Sequence, residues 1–270
     1  MNTALMSPFT KHLLHAYKGY ANFVLVFTRA DYTGGVVKRR NQSNGKGVLA
    51  VVTGIQDDDI VNALVRMAHR ASHQLTAATS AFLRQDPAAA RLVISMDGQL
   101  NDDELRIDQL ALRDAVAGTG YEQRWQDIAT LLKVTDELER LGDYAVAIAV
   151  ITTTNFAHRG HPTNNQADVW LTAMLNQVGK MLGMAVHAYA RRDAGVAQEV
   201  ALSDREVDRL YVRIRALLGP ITPGEPALAV ARLLSQSGDR SVNIAEWVVY
   251  RATGTLVALH HEHNGQLLDE

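Results

Sequence analysis

Two tandem three-helix bundles, all-α and preceded by an irregular N-terminal extension, are the fold this sequence predicts. Three observations predict it. Ala, Leu, Val and Arg recur at helical spacing, while aromatic residues make up only 6% of the 270, which leans away from a sheet protein. From Asp57 onward the apolar residues fall at steps of three and four. That pattern halts at Gly160-His161-Pro162 and then begins again with the same landmarks.

Composition bounds the function classes. With 47% hydrophobic and 21% charged residues the chain is globular, and its length is a soft prior for about two domains. There is no cysteine, which excludes a disulfide scaffold, a thiolate metal site and a cysteine nucleophile, and suits a reducing compartment. The longest N-terminal apolar runs, Phe23–Phe27 and Val48–Val52, are far short of the roughly 20 residues a spanning helix needs. Lys18 to Ala30 imitates a secretory signal only faintly, so the expected location is cytoplasmic, without membrane insertion.

The net charge of −2 hides an asymmetry. Residues 1–56 hold 7 of the 27 Lys and Arg and a single acid, Asp31, giving +6 against −8 for the remainder. An acidic helical body is a poor surface for nucleic acid, and no direct nucleic-acid partner is expected. Within the extension, Gly34, Gly35, Gly45 and Gly47 bracket the polar run Lys38–Asn44. This reads as a basic, disordered extension. It is no phosphate loop, since Gly47 stands where Ser or Thr must bind the metal and Arg40 where the leading Gly belongs.

The first bundle is expected over 57–157. Asp57-Asp58-Asp59 places negative charge at a helix start, and Ile60, Leu64, Met67, Ala68, Ala71, Leu75 and Phe82 form the stripe. Asp86-Pro87 supplies an N-cap and a first-turn proline for a second helix, running through Leu92, Met96, Leu100, Ile107 and Leu110 to Gly118-Thr119-Gly120. A third helix carries Leu131, Val134, Leu138, Leu141, Ala145 and Ile148 in alternating steps of three and four. The second bundle is expected over 165–258. Its first helix holds Trp170, Met174, Val178, Met181 and Val186, its second spans about Ala194–Leu217, and its third opens at a Thr222–Glu225 capping box and reaches about Tyr250. Residues 259–270 form a tail.

The second bundle copies the first. The interval from Met67 to Asp86 equals that from Met174 to Asp193. Glu104…Ile107-Asp108 pairs with Asp204…Val207-Asp208, and Glu139-Arg-Leu-Gly142-Asp143 with Ser235-Gln-Ser-Gly238-Asp239. This alignment makes Asp86–Glu104 longer than Asp193–Asp204 by seven; that is nearly two helical turns and keeps the faces in phase. The stretches Asp108–Glu139 and Asp208–Ser235 then differ by four, a loop difference.

Glu104/Asp108, Glu139/Asp143 and Asp204/Asp208 are acid pairs at i, i+4. Random placement of 29 acids gives roughly three such pairs, so the number alone means nothing. Their recurrence at one phase of the second and third helices carries more weight. If those helices pack antiparallel, four carboxylates converge on one groove, where a hard, oxygen-ligated cation would relieve their repulsion. Mg, Mn or oxidised Fe suits such a donor set, and Zn less well. The residues alone leave open a metal site and a salt-bridged acidic surface.

The motifs Glu139-Arg140-Leu141-Gly142-Asp143 and Gly238-Asp239-Arg240-Ser241-Val242-Asn243-Ile244-Ala245-Glu246-Trp247 resemble the repeated signature of the PhoU family of phosphate uptake regulators. The likeness runs from about Asp57 to Gly254. It implies two three-helix bundles, and surface clusters of divalent or trivalent metal ions (Mg, Mn, Fe or Zn) on acidic motifs. Here those would be Glu104, Asp108, Glu139 and Asp143 in the first bundle and Asp204, Asp208 and Asp239 in the second. It also implies a non-enzymatic, homodimeric, cytoplasmic negative regulator of the phosphate-starvation response. Its partners would be the ATPase subunit of the phosphate ABC transporter and the sensor histidine kinase.

Departures from the pattern qualify this. Ser235 replaces an acid and Gln236 the usual Arg, so the second bundle should hold metal more weakly; Tyr144 and Arg240 stand where His is common. Residues 1–56 have no counterpart in the family. A metal-free helical adaptor is the alternative. A ferritin-type di-metal enzyme is disfavoured, because no Glu stands three residues before a His. Among lesser candidates, His69/His73 reads as a solvent-facing pair, His260–His263 as a polar tail, Arg140 as an ion-pair partner of a nearby acid, and Trp125, Trp170 and Trp247 as core.

Overall fold

The structure, a computed structural model, describes residues 57–117, 122–156, 165–219 and 225–259. The expectations for residues 1–56, the Gly118–Gly120 break, the Gly160–Pro162 interruption and the His260–His263 tail lie outside them. All described residues fall in one unit beginning at Asp57, and all regular structure among them is helical. In chain order the helices are α1 (Asp57–Leu83), α2 (Pro87–Ile94), α3 (Gly98–Ala117), α4 (Glu122–Phe156), α5 (Asn165–Arg191), α6 (Ala194–Leu218) and α7 (Pro226–Thr253).

α1, α2 with α3, and α4 pack as the first bundle; α5, α6 and α7 pack as the second. The stripes explain why. Leu131, Val134, Leu138, Leu141, Ala145 and Ile148 are all buried, as are Leu64, Met67, Ala68, Ala71, Leu75 and Phe82 on α1 and Met174, Val178, Met181 and Val186 on α5. Burying a side chain of this kind stabilises by about 1.5–3 kcal/mol. The bundles join through α4 against α7 and α1 against α5.

Four expectations are corrected. The second helix is not continuous: α2 stops at Ile94, a turn over Ser95–Asp97 follows, and α3 starts at Gly98. Asp97-Gly98 is itself a turn signal, hidden by the apolar residues on either side. Accordingly Ala90 and Val93 are the buried residues of α2, and Leu92 is 64% exposed. The Thr222–Glu225 capping box does not form around Glu225. That residue occupies the N-cap of α7 without a side-chain cap bond, and Pro226, with no N–H to satisfy, begins the helix. Trp125 is not core but 57% exposed, and Trp170 and Trp247 are half-buried. His69 is half-buried too, which pushes its pKa down, while His73 is exposed.

Candidate functional site

The repeat fixes where the acids stand, and the turn joining the first two helices sets the register. Gln85 and Arg192 both adopt positive φ, 53° and 54°. Asp86 N and Asp193 N donate back to Ala81 O and Ala188 O at 2.9 and 3.0 Å. Each aspartate then caps the next helix. Asp86 Oδ1 accepts from Ala88 N and Ala89 N at 3.0 and 2.9 Å; Asp193 Oδ1 accepts from Gly195 N and Val196 N at 2.9 and 3.0 Å. Every one of these pairs is related by a single offset in the numbering, the one that carries Asp86 onto Asp193.

The same offset continues past the turn. Met96 and Ser203 are related by it, and each accepts from a glutamine of its bundle's first helix, Met96 O from Gln74 Nε2 at 3.1 Å and Ser203 O from Gln177 Nε2 at 2.9 Å, although Gln177 stands one helical turn earlier in its repeat than Gln74. On the third helix, a Cβ at Gly142 would meet Leu100, and a Cβ at Gly238 would meet Val207 at 3.5 Å and Asp204 Oδ1 at 2.5 Å. Leu100 and Val207 are again related by that offset. The partner of Asp204 is therefore Asp97, not Glu104, and Asp208 corresponds to Asn101. The insertion of seven inferred from acid spacing does not exist. The length difference lies further along the hairpin: Asp97 to Gly142 is 45 positions and Asp204 to Gly238 is 34.

In the first bundle the acids line the α3–α4 rim. Burial raises the pKa of Glu104, and Asp108, Asp136 and Asp143 raise it further while Arg140 opposes them. Glu139 is raised by burial, then by Asp143, Glu104 and Asp136. Asp143 is raised by burial and then by Asp97. Asp108 is raised by burial, against a hydrogen bond from Thr135 Oγ1 at 3.3 Å, with Asp136 adding to the rise. The structure thus brings Glu104, Glu139 and Asp143 into mutual range. It adds Asp97 and Asp136, which the i, i+4 search passed over. Applying the repeat offset to Asp204 would have found Asp97. Arg140 pairs with Asp136 at 3.6 Å on the solvated face.

The second bundle concentrates what the first spreads. Asp204 is 9% exposed. Its pKa is pushed up to about 7 by burial, then by Asp208 and Asp239. Its Oδ1 is shut from solvent and has no hydrogen-bond partner among the described residues. Gly238 makes this possible, since any side chain there would displace the carboxylate.

Among the described residues no three His, Asp or Glu side chains are gathered as a preformed set for one ion. The chemistry of the donors nonetheless fits a hard cation: all are carboxylate oxygens, they raise one another's pKa, and one oxygen is buried without a partner. No helix among the described residues is long and apolar enough to cross a membrane.

Fold and acids together define a tandem three-helix-repeat protein with aspartates at equivalent positions of its two halves, Asp97 with Asp204 and Asp143 with Asp239. The profile of the PhoU domain matches residues 64–152 and 171–248. The two matches begin at Leu64 and Leu171, which are related by the same offset as the capping aspartates, in agreement with the register above. The chain belongs to the PhoU family. Among its relatives is the phosphate-specific transport system accessory protein PhoU homolog of Clostridium acetobutylicum. It is 29% identical over 212 residues, covering 75% of this chain and 95% of the relative. The crystal structure of PhoU from Pseudomonas aeruginosa superposes with a TM-score of 0.66 at 29% identity, covering 73% of this chain and 97% of that one. The phosphate transport system regulatory protein PhoU from Streptococcus pneumoniae shares the fold, with a TM-score of 0.67 at 21% identity over 74% of this chain and 97% of the other.

Proposed function

We propose that the protein is a cytoplasmic, metal-binding negative regulator of phosphate uptake and of the phosphate-starvation response. It acts as a homodimeric adaptor between the ATPase subunit of the phosphate ABC transporter and its sensor histidine kinase. Membership of the family and the names of the relatives support the phosphate-transport role. The observation that carries the metal reading is Asp204: a carboxylate beside two others, with one oxygen buried and unpartnered. A di- or trivalent cation (Mg, Mn, Fe or Zn) supplies the charge this cluster lacks.

Glu104, Asp108, Glu139 and Asp143 would hold metal in the first bundle, together with Asp97, and Asp204, Asp208 and Asp239 in the second. Bound cations would neutralise both faces and let a partner approach. Protein purified without chelator is expected to contain metal by elemental analysis, and Glu104→Ala with Asp143→Ala should remove most of the first bundle's share. Unchanged metal content would place the ligands elsewhere. Ser235→Glu, which restores the acid at the position equivalent to Glu139, is expected to raise the metal-to-protein ratio. The adaptor role is tested by pull-down from phosphate-replete cells, with the transporter ATPase and the histidine kinase as the expected catch; recovery of neither would refute it.

A further inference from the structure

The two bundles meet along α4 and α7, which run antiparallel, and carboxylates of α4 take cations of the second bundle at two levels of this seam. Glu137, only 8% exposed, accepts from Arg240 Nη1 at 3.1 Å on one oxygen and from Asn243 Nδ2 at 3.0 Å on the other. Ten residues earlier, about 15 Å along the helix, Asp127 does the same. Its Oδ1 accepts from Arg251 Nε at 2.9 Å and its Oδ2 from Arg192 Nη2 at 2.6 Å. Arg251, 5% exposed, also donates to Tyr189 O at 2.7 Å and lies 4.2 Å over the Tyr189 ring. Between the two levels Thr130 Oγ1 donates to Trp247 O at 3.4 Å.

None of these residues belongs to the acidic faces. Apolar packing would hold α4 to α7 but would select poorly among registers, because a helix shifted by one turn presents a similar stripe. Buried charge does select: a shift of α7 by one turn leaves buried Glu137 without its cation, which is strongly unfavourable, and takes Arg251 away from half-buried Asp127. The cations come from three places, the α5–α6 turn, the middle of α7 and the end of α7. They therefore resist twisting as well as sliding.

We propose that Asp127 and Glu137 form a two-point ionic clamp that fixes one register and one angle between the repeats, so that the two bundles move as a single rigid body. The clamp is independent of the metal reading and works in its absence.

The chain has no cysteine, so a pair of labels can be placed at will. Leu105 on α3 and Val212 on α6 are exposed and stand at equivalent positions of the two repeats. The full chain carrying Leu105→Cys and Val212→Cys is spin-labelled, diluted with unlabelled protein so that only intramolecular pairs are read, and measured by pulsed EPR in EDTA. A single narrow distance distribution is expected with the clamp intact. In the Asp127→Ala/Glu137→Ala background, with helix content by circular dichroism unchanged, the distribution should broaden or split. If that background does not fold, Asp127→Asn with Glu137→Gln keeps the side-chain shape and removes the charge, and the same broadening is expected. An unchanged narrow distribution in either folded variant overturns the clamp, and so does a broad distribution in the intact protein.

Discussion

The turns at Gln85-Asp86 and Arg192-Asp193 share their positive φ, their capping aspartate and their backbone hydrogen bonds, yet the helices that leave them soon diverge. After Asp86 the helix breaks at Ser95–Asp97, whereas after Asp193 it runs unbroken to Leu218. The register survives the break, because Leu100 beyond it and Val207 of the unbroken helix, related by the offset of the two turns, each pack on the glycine of the third helix. What each repeat preserves is the apolar residue that packs on the glycine of its third helix, Leu100 on Gly142 and Val207 on Gly238, not the continuity of its second helix. The first bundle uses this frame to spread six carboxylates along a solvated rim. The second drives one carboxylate into the interior beneath Gly238.

The largest expected difference between the two is electrostatic. Asp204 has a folded pKa of about 7, well above its ordinary value. Between about pH 4 and about pH 7 the folded protein therefore retains a proton that the unfolded chain has released. Stability is full below that window and falls as the pH rises through it, by about 2–4 kcal/mol in the absence of metal. Urea midpoints in EDTA at pH 5 and pH 8 should show this loss, and Asp204→Asn should abolish most of it. Asp143→Asn in the exposed rim of the first bundle should change the slope less. If both substitutions act equally, the contrast between buried and spread acids is wrong.

Next in size are the glycines. Alanine in an exposed helix interior stabilises by about 1 kcal/mol over glycine. Here a Cβ would strike Leu100 from position 142 and Asp204 from position 238, so both substitutions should instead destabilise, by about 1–3 kcal/mol. The two should differ in kind. Gly142→Ala disturbs apolar packing and its effect should not depend on pH. Gly238→Ala displaces a carboxylate, and its effect should shrink at high pH, where expelling the charged group toward water is favourable. Thermal denaturation at pH 5 and pH 8 separates them.

Much of the fold was legible because it depends on spacing that a chain carries locally. The stripe from Leu131 to Ile148 is buried at every position named, and Asp86 and Asp193 cap the helices they precede. The register of the acids was misjudged for a physical reason. Glu104/Asp108 and Asp204/Asp208 share spacing but not depth, and spacing on one helix says nothing about which residue faces the glycine of another. The constant offset from Met67/Met174 and Asp86/Asp193 was the better guide, and carried four residues past Met96 it reaches Leu100 and Val207. The links from Asp127 to Arg192 and Arg251, and from Glu137 to Arg240, join residues 65 to 124 positions apart, beyond the reach of any periodicity. Trp125 misled because helical spacing identifies a face without saying whether that face is covered.

The smallest expected effects test the equivalence itself. Asp86→Ala and Asp193→Ala each remove a side chain that accepts from two backbone N–H groups at a helix start, and each should lower stability by about 1 kcal/mol. The helices they begin are very unequal, 8 residues for α2 against 25 for α6. If stability were set by the helix each cap opens, the losses would differ. If it is set by the turn, which is shared bond for bond, the two urea midpoints should shift alike. Hydrogen exchange then distinguishes where each loss is felt. Asp86→Ala should open only α2, because the Ser95–Asp97 turn insulates α3, whereas Asp193→Ala should fray the first turns of α6 toward Asp204 and so carry a perturbation from the cap to the buried acid.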